Sequence, residues 1–286
     1  MDLKILHDSP PWEWPQGAGK TFLTILRDPE ADAADRLLAA EFAGELVVMN
    51  DALADALLSI VGSAAEPEEL RAQAAISLGP VLEEADIDEF DDPDAIPISE
   101  KTFRKIKQFL RKAYLDSGVA KLVRRRILEA SVRAQEEWHV AAIRSAYTSG
   151  DQEWKLTAVF CMDYVRGFEK QIWEALESTN SDIHYQAVRA AGTWEVDAAW
   201  PHVAALAISE ETGKPLRLAA IEALATLRPK ESAAILAGLI DDEDEDIAEA
   251  ASEAMSMAEG FSDNEFDEED EDEDDESESG NRETIH

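Results

Sequence analysis

Apolar residues recur along this chain with the spacing of one helix face, and one nine-residue pattern occurs seven times. The pattern reads apolar, basic, two variable positions, small or aliphatic, three variable positions, then aliphatic or small. From residue 123 onward the copies begin about every 31 residues. A fixed period of this size is typical of stacked helical units, because one helical pair cannot bury its apolar face alone. The copies span residues 34–42, 70–78, 123–131, 154–162, 183–191, 216–224 and 247–255.

Each copy is predicted to lie on the second helix of a pair, with a first helix before it. Residues 51–61, for example, place Leu53, Leu57, Leu58 and Val61 on one helix face. Abundant Ala and Leu, with only 13 Gly and 11 Pro, favour helix nearly throughout. We therefore predict an all-α fold, an α-solenoid of about seven helical pairs, with no sheet.

Four segments are predicted along the chain. Residues 1–85 form N-terminal helical pairs, and residues 86–98 form an acidic insert whose prolines cannot continue a helix. Residues 99–258 form the C-terminal array, which begins at Ser99 as a helix N-cap. Residues 259–286 are predicted to be a disordered tail, because ten consecutive acidic side chains cannot bury apolar surface.

The seven copies resemble HEAT repeats of the short, phycobilisome-lyase-like type. This resemblance implies a right-handed superhelix whose second helices line the concave face. Such arrays serve mostly as binding surfaces and in a few cases as enzymes. At the second position of the first, fifth and seventh copies, Asp35, His184 and Ala248 replace the basic residue. The resemblance is carried by the fifth position, which is Leu38, Ala74, Ile127, Ala158, Ala187, Ala220 or Ala251, and by basic residues at the second position, Arg71, Arg124, Lys155 and Arg217.

Charge and composition narrow the partners and the compartment. The formal net charge is −37, and residues 241–286 alone carry 23 of the 63 acidic residues. This charge repels nucleic acids and anionic membranes, so nucleic acid is not expected as a partner, and it favours basic proteins. The single cysteine excludes a disulfide framework, and no 18-residue apolar stretch or signal peptide is present. We expect a cytoplasmic monomer with no membrane association.

No motif predicts a catalytic residue, a metal ligand set or a cofactor site. The resemblance includes deoxyhypusine hydroxylases, which bind iron through His-Glu dipeptides, but none of the five histidines here is followed by Glu. Asp242, Asp244 and Asp246 have the spacing of a calcium loop, yet Ile247 stands where that loop needs glycine. The resemblance also includes bilin lyases, and Cys161 is interpreted as a core residue instead of a tetrapyrrole attachment site.

Two sequence features indicate a binding surface. Residues 101–133 hold eleven basic and two acidic residues, which we interpret either as ion pairs between repeats or as a docking patch. Five of the seven tryptophans fall between residues 138 and 200, where they either fill the core or anchor a partner. The residues predicted to contact a partner are Arg124, Arg125, Trp138, Trp154, His184 and Tyr185.

The predicted function is therefore a non-catalytic scaffold or adaptor that binds another protein, of unknown identity, on the concave face. An accessory factor or lyase-like enzyme acting on a protein-bound cofactor is the alternative. A third interpretation, an acidic chaperone for a basic protein, depends on the tail alone.

Overall fold

The computed structural model describes residues 3–88, 90 and 96–274, with side chains up to Gly260. Every regular element in these ranges is a helix. The chain divides into two compact units, Met1–Val165 and Arg166–His286. The predicted division at the acidic insert, of which residues 89 and 91–95 lie outside the described ranges, stays a prediction.

The first unit holds four helical pairs in two layers. Helices α2, α4 and α7 are first helices that pack side by side, and α3, α5, α8 and α10 are second helices that form the other layer. An additional short helix, α6, follows α5 because Gly79 and Pro80 interrupt the predicted helix there. The helices are α1 (Leu3–His7), α2 (Ala18–Arg27), α3 (Ala33–Phe42), α4 (Asp51–Gly62), α5 (Glu68–Ile76), α6 (Gly79–Ile87), α7 (Glu100–Leu115), α8 (Lys121–Ser131), α9 (Trp138–Tyr147) and α10 (Gln152–Met162).

The second unit holds three further pairs built in the same way. Its second helices α12, α14 and α16 pack consecutively, and the first helices α13 and α15 pack beside each other. The described part of the chain thus contains the seven predicted pairs and no strand, which confirms the all-α fold. The helices are α11 (Glu169–Leu176), α12 (Ser181–Thr193), α13 (Trp200–Ile208), α14 (Lys214–Leu227), α15 (Pro229–Ala237) and α16 (Glu245–Asp274).

Two further predictions concern membrane association and the C-terminal tail. No helix in the described ranges is long and apolar enough to cross a membrane. The predicted disordered tail, 259–286, lies outside the described side chains from residue 261 and outside the described backbone from residue 275.

The fifth position of the repeat forms the centre of each helix-to-helix contact. In copies two to seven this residue is fully buried, with a relative exposure of 0 %. Alanine dominates there because a small side chain lets neighbouring helices approach closely. Helices α12 and α14 approach so closely that a Cβ added to Gly192 would lie 2.8 Å from the Cβ of Ala223. These residues are Ala74, Ile127, Ala158, Ala187, Ala220 and Ala251.

The first copy begins one residue later than the sequence pattern predicts. Leu38, the predicted fifth-position residue, is only half-buried, whereas Ala39 is 0 % exposed. The shift places Arg36 at the second position, where Asp35 was predicted. Leu38 is aliphatic and Ala39 is small, so both satisfy the rule for the fifth position, although the shifted copy begins at Asp35 instead of an apolar residue. The conclusion that this copy lacks its basic residue was therefore wrong.

Polar side chains fix where several helices begin. The Ser99 Oγ accepts a hydrogen bond from the Thr102 backbone N–H at 3.3 Å, which confirms Ser99 as the N-cap of α7. Asp151 and Asn180 cap α10 and α12 through two backbone N–H groups each. Each such cap stabilises a helix by about 1 kcal/mol. The capped starts thereby set the position of the first-turn residues of α10 and α12.

Candidate partner-binding surface

A basic side chain at the second position ties the two helices of a pair together. Arg71, Arg124 and Arg217 each donate a hydrogen bond from Nε to the carbonyl ten residues earlier, at 3.0, 2.8 and 3.0 Å. Arg36 reaches the carbonyl of Leu26 in the same way through Nη2, at 3.3 Å. The last carbonyls of a helix have no intrahelical donor, so this contact satisfies one of them. The basic position is thus primarily structural.

In the third repeat the same contact creates an aromatic cluster. The Tyr114 ring, at the end of α7, lies 5.2 Å from the Trp138 ring and 6.3 Å from the Trp154 ring, measured between centroids. The Arg124 guanidinium lies 5.3 Å from the Tyr114 centroid and 5.7 Å from that of Trp154. Three predicted partner-binding residues therefore converge on Tyr114, which sequence analysis missed. We call Tyr114, Arg124, Trp138 and Trp154 the aromatic surface.

The aromatic surface contains a cavity of about 220 Å³. Tyr114 itself is buried, whereas Arg124, Trp138 and Trp154 are half-buried. Burial raises the pKa of the Tyr114 hydroxyl, so this group is a neutral hydrogen-bonding group at physiological pH. Arg124 uses Nε for the backbone carbonyl, so its Nη groups remain as donors at the cavity. An apolar side chain with a neighbouring carbonyl group fits this chemistry. The lining residues are Tyr114, Arg124, Ser145, Ala146, Ser149 and Trp154.

A second, wider cavity of about 550 Å³ adjoins Trp138 and is lined by Arg111, Glu136 and Glu137. The Trp138 Nε1 donates a hydrogen bond to Glu136 at 2.9 Å, which holds the indole at its Nε1 edge. The other side of Trp138 packs on His139, with ring centroids 3.9 Å apart. Desolvation by burial lowers the pKa of His139 to about 4, so this imidazole is neutral at pH 7. Acidic and aromatic side chains thus lie together around this second cavity.

Arg125, another predicted partner-binding residue, lies inside the first unit. It is 6 % exposed, donates from Nε to the Thr157 hydroxyl at 2.9 Å, and pairs with Glu153 at 3.1 Å. The Thr157 hydroxyl in turn donates to the buried carboxylate of Glu129. This network joins the third and fourth repeats. We leave Arg125 out of the aromatic surface because its polar atoms are already engaged.

His184 and Tyr185, the remaining predicted residues, are half-buried on α12 in the second unit. The Nε2 atom of His184 lies 2.9 Å from the Nε2 atom of His202 on α13. Desolvation and the neighbouring His202 lower the pKa of His184. Trp173, on α11, is 40 % exposed. Trp173 belongs to the tryptophan-rich segment but was not among the predicted contact residues, and it is more exposed than His184 and Tyr185.

The basic segment 101–133 is mostly engaged in structural contacts. Eight of its eleven basic residues make an ion pair or hydrogen bond with another described residue. Several of these join successive repeats, such as Lys121 with Asp151 at 2.9 Å and Lys105 with Asp55 at 2.6 Å. The interpretation as ion pairs between repeats thus accounts for most of the segment. The eight are Arg104, Lys105, Lys107, Lys121, Arg124, Arg125, Arg126 and Arg133.

The same kind of ion pair between repeats engages the acids that have calcium-loop spacing. Asp244 and Asp246 pair with Lys214, and Asp242 pairs with Arg217 at 2.8 Å. Lys214 and Asp244 are 30 residues apart, as are Lys121 and Asp151 in the first unit. Asp244 therefore occupies the repeat position that pairs with a lysine 30 residues earlier. Within the described ranges, no group of three or more His, Cys, Asp or Glu side chains is placed to hold a metal ion.

Residues 169–256 match the family described as HEAT repeats. This segment contains Arg217, whose backbone contact recurs at Arg71 and Arg124 in the first unit, together with the same two-layer packing. Residues 169–256 are HEAT repeats. A HEAT-repeat fold supports a general role as a protein-interaction scaffold. No match is found among the curated proteins.

Three solved structures resemble this chain at low sequence identity. The complex of CpcE and CpcF of phycocyanin lyase from Nostoc sp. PCC7120 is 16 % identical, with a TM-score of 0.47 over 87 % of this chain and 97 % of that one. The Escherichia coli protein YibA is 14 % identical, with a TM-score of 0.44 over 86 % and 84 %. Human deoxyhypusine hydroxylase, in complex with glycerol, is 17 % identical, with a TM-score of 0.40 over 87 % of each chain. Similarity at this level says nothing about function.

Proposed function

We propose that this HEAT-repeat protein is a non-catalytic scaffold that binds a basic partner protein through the aromatic surface. The observation that carries the proposal is the cavity between Tyr114, Arg124 and Trp154, with Trp138 beside Tyr114. Half-buried tryptophans with fixed orientation are frequent anchors of protein interfaces, because they bury much area at little entropic cost.

The arrangement around the cavity favours a protein chain as ligand. Apolar ring faces accept an aliphatic or aromatic side chain, and the Arg124 Nη groups donate to a backbone carbonyl of the same partner segment. Ser149 donates its hydroxyl to the carbonyl of Ala146 at 2.8 Å and so keeps the opposite wall in place. A preformed pocket of this kind costs little to order on binding.

Charge selects a basic partner. The net charge of −37 creates a field that attracts basic proteins and raises their association rate. Glu136 and Glu137 place negative charge at the second cavity, beside Trp138. Most basic residues in segment 101–133 make structural contacts, which weakens the case for an acidic partner there.

The alternative, a lyase-like role on a protein-bound cofactor, gains no specific support. Cys161 is 0 % exposed, and burial raises the pKa of its thiol well above the usual value. A buried thiol of high pKa is a poor nucleophile. The chaperone interpretation depends on the tail, which lies largely outside the described residues.

Affinity capture with the full-length protein from its native host tests the proposal. Trp138→Ala and Trp154→Ala remove the anchors, and Trp173→Ala is a matched control because it removes an exposed tryptophan from the second unit. A basic protein should be retained by the wild type and by Trp173→Ala. Each anchor variant should bind the purified partner at least about tenfold more weakly, which is a typical hot-spot loss of 1.4 kcal/mol or more.

Two results would contradict the proposal. Equal retention of the same partner by all variants would place the binding surface elsewhere. A bound chromophore or other small molecule, with no protein partner that depends on Trp138 or Trp154, would favour the cofactor-related alternative.

A further inference from the structure

Two histidines of the second unit face each other without a role in the aromatic surface. His184 stands at the second position of the fifth repeat, on α12, and His202 lies in the first turn of α13. Their Nε2 atoms are 2.9 Å apart and their ring centroids 5.1 Å apart, at an interplanar angle of 56°. Both residues are half-buried.

This separation matches adjacent ligands of one metal ion. Two nitrogen atoms at about 2.1 Å from a metal lie about 3.0 Å apart at a right angle and about 3.4 Å apart at the tetrahedral angle. The observed 2.9 Å corresponds to the right-angled arrangement. Imidazole nitrogen is also the commonest protein ligand for zinc, copper and nickel.

We propose that His184 and His202 together bind one divalent transition-metal ion through their Nε2 atoms. Water, or a donor atom from a partner, fills the remaining coordination positions on the solvent side. The carboxylate of Glu177 interacts electrostatically with His184, and its negative charge favours a cation there. Sequence analysis predicted no metal site, since residues 184 and 202 lie on different repeats and match no ligand motif.

Metal binding at this pair needs a tautomer change but no net loss of protons. When the two neutral imidazoles share a hydrogen bond, one Nε2 carries the proton and the other accepts it. Coordination uses the lone pairs of both Nε2 atoms, so the donor imidazole moves its proton to Nδ1. The metal then replaces the hydrogen bond between the rings, and both imidazoles stay neutral.

Zinc titration of the metal-free, full-length protein tests this site. The titration uses competition with a chromophoric chelator, in millimolar Ca²⁺ and Mg²⁺ that occupy the many carboxylates, which prefer these hard cations. His184→Gln and His202→Gln keep hydrogen-bonding capacity but remove one imidazole each. His7→Gln and His286→Gln are controls that remove other histidines.

The wild type and both controls should bind one Zn²⁺ per chain, and His184→Gln and His202→Gln should bind it at least about tenfold more weakly. Cobalt should give an absorption spectrum of nitrogen coordination only where both histidines are present. Zn²⁺ affinity that is equal in all five proteins, or no zinc retained by the wild type against Ca²⁺ and Mg²⁺, would overturn the proposal.

Nitrogen NMR of the wild type provides a test that needs no variant to fold. Addition of Zn²⁺ should shift the Nε2 resonances of His184 and His202 together, and leave those of buried His139 in place. Unchanged Nε2 resonances of the pair at saturating Zn²⁺ would also overturn the site.

Discussion

Arg36 and Arg124 make the same backbone contact in two repeats of the first unit, yet their surroundings differ. Each donates to the carbonyl ten residues before it, Leu26 for Arg36 and Tyr114 for Arg124. Arg36 is 6 % exposed and donates both Nη groups to the carboxylate of Glu66, at 2.6 and 2.8 Å. Arg124 is half-buried against two aromatic rings beside a cavity.

The comparison separates what the repeat imposes from what the neighbouring side chains add. The repeat fixes one hydrogen bond to the end of the preceding helix. A carboxylate nearby engages both Nη groups of Arg36 in an ion pair and leaves its buried Nε without a hydrogen-bond partner, whereas aromatic neighbours leave the Nη donors of Arg124 available. The same residue type at the same position is therefore structural in one repeat and suited to binding in another.

Lowering the pH should lower the free energy of unfolding through His139, which packs on Trp138 beside the aromatic surface. The folded pKa of about 4 lies below the unfolded value of about 6.5, so the unfolded state takes up the proton first. Stability from this group is complete above pH 6.5 and is lost as the pH falls towards 4, by about 3 kcal/mol. Urea unfolding at pH 7 and pH 4 gives the total loss, to which carboxylates of lowered pKa such as Glu66 also contribute. This total should be smaller by about the His139 share in His139→Asn and unchanged in His7→Gln.

Replacing Arg36 by Met should lower the free energy of unfolding by about 2 kcal/mol. The change leaves the Glu66 carboxylate and the Leu26 carbonyl without their donor, and Glu66 keeps enough contact with water to soften the cost below that of a fully buried pair. Urea unfolding at pH 7 measures the effect. Lys155→Met is the control, because Lys155 occupies the same repeat position over the Tyr147 ring. Equal losses in the two variants would contradict the special role of Arg36.

Arg124→Met should cost about 1 kcal/mol in stability while it weakens partner binding. It loses one hydrogen bond to a carbonyl and the cation–π contacts with Tyr114 and Trp154. Arg71→Met loses the corresponding bond to the Val61 carbonyl and serves as the matched variant. The difference between the two unfolding free energies gives the aromatic contribution. Weaker binding in both variants alike would place the partner away from the aromatic surface.

Arg104→Ala should change stability by less than about 0.5 kcal/mol, the smallest effect expected. Arg104 pairs with Glu100 one turn away on α7, and both side chains are more than half exposed. Thermal unfolding at low and high salt should give the same midpoint difference within error. A loss as large as that of Arg36→Met would show that exposed pairs of segment 101–133 stabilise the array.

Much of the fold was predictable because burial follows the repeat pattern. The fifth position needs a small or aliphatic residue wherever helices cross, so Ala158, Ala187 and Ala220 mark their repeats in the sequence. The first repeat was misplaced by one residue because Leu38 and Ala39 both satisfy that rule. The contact between Arg36 and the Leu26 carbonyl resolved it, since arginine carries a donor for that carbonyl and Asp35 does not.

The candidate surface was predictable only in part. Tryptophan density pointed to Trp138 and Trp154, but it gave no means of separating them from Trp173, whose exposure depends on its place in the helix pair. Tyr114 was missed because nothing in its local sequence distinguishes it. Counting ten residues back from Arg124 would have identified it, once the arginine contact was known.

By itself the sequence determined the helix pairs, their number and the helix face that each buries, because local periodicity and small-residue positions dictate packing between neighbours. Only the tertiary structure decided which side chains from different helices meet. Tyr114 with Trp138 and Trp154, Arg36 with Glu66, and His184 with His202 all depend on how far one helix lies along the next. That offset is set by the packing of whole helix faces, and no single repeat carries the information.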